Sequence, residues 1–180
     1  SGLSCLLSLQ EFLVVGNNTK AASRGVAYRQ SKELKDRDGT LAAPGSLVVG
    51  VDEGDGWLRV ALPCGARFLP LELGGFPALL CLEEELTGSW WVSGYRHPFQ
   101  IGRNRRGQLR FDWWLEGDSL FCFLRPQSQW LEGELIIAET SSAVGSLRLR
   151  FVWEHAAVFC SLRPLGSEEW TRGRLARRSP

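Results

Sequence analysis

Apolar and polar residues alternate through the second half of this chain with the period of two that a half-buried strand requires. Leu147, Leu149, Phe151 and Trp153 fall on one face, with Arg148 and Arg150 on the other. Leu109, Phe111 and Trp113 oppose Arg110, Asp112 and Trp114 in the same way, and Leu131, Gly133, Leu135 and Ile137 point inward while Glu132 and Glu134 point out. A hairpin of the last two such strands would set Glu132 and Glu134 against Arg148 and Arg150 as a cross-strand charge ladder. Cys122 with Leu124, and Cys160 with Leu162, share the inward face of a further strand, where a small apolar residue is wanted. That register turns Phe121 and Phe123 outward beside Trp114 and one of Trp90 or Trp91, an aromatic outer face that calls for a cover.

The same pattern recurs. Residues 107–126 (GQLRFDWWLEGDSLFCFLRP) align without gaps on 145–164 (GSLRLRFVWEHAAVFCSLRP), with nine of twenty positions identical. Trp-x-x-Gly elements begin at Trp91, Trp130 and Trp170, so the unit is about 39 residues long. Each unit parses as three strands. Two units and a final Trp strand predict a β-meander of about eight strands over 88–180, which must curl into a barrel or clam-shell or pack as a sandwich to bury a face.

In the first half, Val26 to Gln30, Ser46 to Val51, Trp57 to Leu62 and Arg67 to Leu71 read as short strands, with Asp55-Gly56 as a type I′ hairpin turn. The order of features resembles the bacterial-type SH3 (SH3b) family: YR-x-S (28–31) opening a long loop, then PGS-x-VVGVDEGDGWLRV (44–60), then RFLP (67–70). The resemblance implies a small barrel over 24–72 with an aromatic-lined groove for peptide or glycan. By position that groove takes Tyr28, Trp57, Phe68 and Pro70. The pairing of this module with the Trp-x-x-Gly, Gly-x-Leu-Arg meander is similar to repeat units of large uncharacterised protist proteins, a likeness that carries over no activity. The expected fold class is therefore all-β, an SH3-like barrel followed by an antiparallel β-meander. Residues 1–23 form an N-terminal extension, which is read as the end of a preceding unit, and 73–87 form a linker. The LLCLE stretch within that linker reads as a decayed third strand, and with Ser at position 1 and no Met anywhere the chain reads as a piece of a longer repetitive protein.

Composition adds limits. With 44% hydrophobic residues, 20 Gly and 8 Trp in 180, the chain is globular and favours strands and turns. The net charge of +1 hides an asymmetry: residues 1–87 hold 8 basic and 11 acidic residues, while 88–180 hold 13 basic, all Arg, and 9 acidic. Five cysteines have no CxxC pair and no His at zinc-ligand spacing, so neither a metal site nor a disulfide framework is expected, and no cofactor. The acidic turn at Asp52, Glu53 and Asp55 lacks the calcium-loop pattern. The apolar N-terminal run has no basic leader and is too short to span a bilayer, which makes cytoplasmic the default location.

Two histidines, His97 and His155, stand apart from any Ser, Cys or carboxylate at a catalytic spacing, so no enzyme is expected. The expected function is a non-catalytic interaction or scaffold module that binds protein or peptide through the SH3-like groove. An alternative is nucleic-acid or glycan binding by the meander, using a second surface of Trp114, Phe121 and Phe123 with the hairpin arginines Arg103, Arg105 and Arg106. No membrane partner is expected.

Overall fold

A computed structural model describes residues 9–15 and 25–179. The chain is all-β and divides into two compact units, Ser1–Leu82 and Glu83–Pro180.

The first unit contains β1 (Gln10–Val14), β2 (Val26–Arg29), β3 (Arg37–Ala42), β4 (Leu47–Asp52), β5 (Trp57–Leu62), β6 (Gly65–Pro70), β7 (Glu72–Leu73), β8 (Phe76–Pro77) and β9 (Leu79–Cys81). Seven of these form one sheet in the order β3-β2-β6-β5-β4-β1-β9, and β7 and β8 make a separate two-residue ladder. The β4-β5-β6 meander follows from alternation: Leu58 and Leu69 face each other across the ladder and are fully buried.

Two segments differ from expectation. Residues 10–14, expected within an extension, form β1, which pairs with β4 on one side and β9 on the other, and Phe12 and Val14 enter the core of this unit. Its partner β9 comes from the stretch expected as a linker. It falls within LLCLE, the stretch of that linker read as a decayed strand, with Leu79 buried and Leu80 and Cys81 half-buried. The long polar loop also carries β3. At the β4–β5 turn, positive φ falls on Gly54 and Gly56 and not on Asp55, so the turn is not type I′.

The second unit opens with one helical turn, α1 (Leu82–Leu86). It continues as β10 (Gly88–Val92), β11 (Phe99–Arg103), β12 (Leu109–Leu115), β13 (Asp118–Phe123), β14 (Arg125–Gln127), β15 (Trp130–Ile137), β16 (Ser142–Val152), β17 (Ala157–Pro164) and β18 (Arg174–Arg178). From β10 to β13 and from β14 to β18 each strand is the antiparallel neighbour of the next, β18 returns to β10, and β13 skips β14 to pair with β15. The meander thus closes as an eight-stranded antiparallel barrel, with β14 as a short continuation beyond a bend in β13. At that seam a Cβ on Gly133 would stand 2.5 Å from the Phe123 carbonyl oxygen and 3.0 Å from Cys122 Sγ, so only glycine lets the strands approach.

Eight strands enclose a lumen just wide enough to be filled by side chains or to hold one small ligand. Trp90, Phe99, Phe111, Leu147, Leu149 and Cys122 are buried there, and for Phe111, Leu147, Leu149 and Cys122 alternation predicts it. Trp153 does not continue its face, because the strand ends first and it enters a 3₁₀ turn, Trp153–His155, closed by Ala156 in the left-handed region. The charge ladder is also replaced. Glu132 faces Arg148, but Glu134 faces Ser146, and neither glutamate forms an ion pair among the described residues. The arginines stack on rings instead: Arg148 lies 4.4 Å from the Trp130 ring centre and 4.3 Å from that of Trp170, and Arg150 lies 5.1 Å from Trp130. A planar guanidinium gains more from two indole faces than from a solvated carboxylate.

Candidate functional site

The barrel's two ends are finished differently. At its base, α1 packs against the lumen: Leu86 is fully buried, and Trp90 Nε1 donates to the Leu86 carbonyl at 2.7 Å. Arg178, paired with Trp90 on the inward face of β18, donates to the carbonyls of Glu84 and Glu85 at 3.0 and 2.8 Å, caring for the acceptors that a helix leaves open at its C-terminus. The base is closed by protein.

At the other end the lumen opens into a cup of about 330 Å³. Its floor and one wall are aromatic. Phe99 and Phe111 rings lie 4.9 Å apart, Trp113 contacts both edge-on, and Tyr95 meets Trp113 at 4.8 Å and 60°. The Trp113 indole is held by a 3.1 Å bond from Nε1 to the His97 carbonyl. The facing wall is Leu147, Cys160 and Leu162, with Thr171, Arg172 and Arg174 at the lip. Burial pushes the Cys160 thiol up to about 11, and that of Cys122 below it to about 12, so the cup wall carries a neutral, polarizable thiol rather than a nucleophile.

Arg174 reaches the cup through a break in pattern. In the segment 130–135, Leu131 and Leu135 point into the barrel. In the similar segment 170–175 the faces are exchanged: Arg174 pairs with inward Cys160, while Leu175 pairs with outward Phe159 and is 47% exposed. A one-residue slip flips every side chain of a strand. Gly173 accommodates it by lying flat against the Phe159 ring, where a Cβ would come within 1.9 Å of Cζ. An exposed leucine and an inward arginine reverse what a barrel strand ordinarily presents, and such local conflicts mark functional positions.

The residues singled out from sequence separate into three places. Trp57, Phe68 and Pro70 share one face of β5 and β6, through the pairs Trp57–Pro70 and Arg59–Phe68, with Trp57 and Phe68 half-buried and Pro70 buried. Tyr28 is not among them; it packs against the core of the first unit, where burial and then the Asp38 charge raise its hydroxyl pKa. Lys32 sits over the Phe68 ring at 5.7 Å and is tied to Glu53 and Asp55, so part of this face is roofed by an ion network. Arg29, facing Phe68 across the ladder, is only 2% exposed, and its Nε has no partner among the described residues.

The second surface is divided by the length of the barrel. Trp114, 51% exposed, stands near the mouth. Phe121 and Phe123 lie on the outer wall, half-buried against each other and under Arg110, which sits 4.6 Å from the Phe121 ring centre. Arg105 and Arg106 are exposed on the β11–β12 turn at the base, and Arg103 is bound to Glu83 at 2.7 Å. Of the alternatives Trp90 and Trp91, Trp91 is the outward one, at 42% exposure.

Nothing in the sequence pattern separated Trp113 and Tyr95 as cup residues from ordinary barrel core, and the repeat puts Arg174 at the outward position of Glu134, where an arginine gives no signal. Among the described residues no group of three or more His, Cys, Asp or Glu could hold a metal ion, and no helix is long and apolar enough to cross a membrane. No family model, curated protein or solved structure matches the chain.

Proposed function

We propose that the chain is a non-catalytic binding module and that its second unit holds one small, largely apolar ligand in the open end of the barrel. The observation that carries this reading is the unfilled cup of about 330 Å³ in a lumen whose other end is closed by buried Trp90 and Leu86. Concave sites with aromatic and aliphatic walls and a few polar groups at one edge are the usual form of a small-molecule site.

The test is calorimetric titration with neutral two-ring compounds, comparing the natural chain with Cys160→Phe. By register the added ring points into the cup and fills it. Binding by the natural chain, lost in the variant at an unchanged unfolding midpoint, is the expected result. Equal binding by both proteins overturns the reading.

A second reading keeps a peptide groove on an SH3-like first unit, favoured by the shared face of Trp57, Phe68 and Pro70. Trp57→Ala then removes peptide binding and leaves the fold intact. A nucleic-acid or glycan surface on the barrel gains less support, because Arg148, Arg150 and Arg163 are already stacked on Trp130 and Trp170.

A further inference from the structure

We infer that the ligand of the cup is a planar aromatic carboxylate of about two fused rings, its rings on the aromatic floor and its carboxylate on the lip arginines; this rests on the cup being the binding site. Size comes first. A cavity of about 150 Å³ takes a single benzene ring, and the cup, at about 330 Å³, is roughly twice that. Shape follows from the lining. Tyr95 and Trp113 offer ring faces and edges at 4.8 Å and 60° to each other, a corner that a flat ring system can enter by stacking on one and meeting the other edge-on.

Charge decides the class. Arg172 and Arg174 stand at the lip, no Asp or Glu lines the cup, and neither arginine forms an ion pair among the described residues. Arg174 makes only a long 3.4 Å contact to the Ser93 carbonyl and lies 5.3 Å from the Tyr95 ring centre, which orients the guanidinium and leaves donors free. Four other arginines of this unit are engaged: Arg178 on helix carbonyls, Arg110 on Asp112, Arg103 on Glu83, and Arg148 between two indoles. A guanidinium presents a rigid fork of donors that matches a carboxylate in bidentate fashion. The neutral Cys160 thiol adds a polarizable contact and no covalent step.

The experiment titrates the full chain with 2-naphthoate and with its uncharged isostere 2-naphthamide. The expected result is that naphthoate binds at least about tenfold more tightly, equivalent to about 1.4 kcal/mol. Arg174→Gln removes most of that preference, and the double variant R172Q/R174Q removes all of it, with the denaturation midpoint of both variants unchanged. Equal affinity for acid and amide, or a preference that survives the double variant, overturns the charge assignment while the cup stands. Binding of neither compound up to about 1 mM, the weak limit of specific association, overturns the cup and this inference together. Gln keeps the polarity of an exposed side chain, and the unchanged denaturation midpoint reports that the variants are folded.

Discussion

At the base of the barrel Arg178 donates to two carbonyls at the end of α1 and covers Trp90; at the mouth Arg174, four residues earlier on the same face of β18, faces an unfilled cup. The two ends share strands, alternation and an inward arginine. The difference is what the chain supplies as a partner. A helical turn and a buried Trp complete the base, whereas the loops of the mouth frame a cavity whose lining holds no carboxylate. An inward arginine that meets carbonyls completes the fold, whereas one that faces a cavity keeps donors for a ligand, the role proposed for Arg174.

Substitutions at the two ends separate these roles. The largest effect belongs to Trp90→Ala, which empties the most fully buried large side chain at the base. A loss of about 3 to 5 kcal/mol is expected from chemical denaturation of the barrel. Gly133→Ala comes next. Its Cβ would press on the Phe123 carbonyl at the closing seam, and about 1 to 3 kcal/mol of destabilisation should appear in the same measurement. Arg178→Gln removes two charge-assisted bonds to α1, exposed on the arginine side, and should cost about 1 kcal/mol, with faster hydrogen exchange at the Trp90 indole.

Changes at the mouth should leave stability nearly untouched. Cys160→Phe is expected to shift stability by less than about 1 kcal/mol, because it fills space rather than displacing core. A destabilisation as large as that of Trp90→Ala would show that the cup is packed core and erase the contrast. The thiols give a last, smaller test. Their pKa values in the fold lie above the ordinary value of 9.0, so the folded state binds these protons more tightly than the unfolded chain. Stability is therefore full below about pH 9 and falls as pH rises toward 11 and 12. Residue-resolved alkylation should find exposed Cys64 first, Cys160 more slowly, and Cys122 only on unfolding.

Much of the barrel wall was legible in the sequence, because alternation assigns faces wherever one side of a strand is wet. Leu109, Phe111, Leu147 and Leu149 are inside for that reason. Closure was not legible: the β13–β15 pairing depends on stagger around the whole ring, which no local pattern encodes. Nor was β1, whose partners β4 and β9 lie at distant points of the chain. The candidate groove kept Trp57, Phe68 and Pro70 together because they alternate on one hairpin, and lost Tyr28 because alternation from buried Val26 turns it to the core. The cup itself depends on the slip at Gly173, which sequence similarity to 130–135 conceals.

The most direct test of the cup is an amide and indole chemical-shift titration of the full chain with 2-naphthamide. The account predicts shifts confined to the mouth, at Tyr95, the Trp113 indole, Cys160 and Leu162, with the Trp90 indole and the Trp57 indole unmoved. Shifts centred on Trp57, or no shift at any concentration the probe allows, would contradict it.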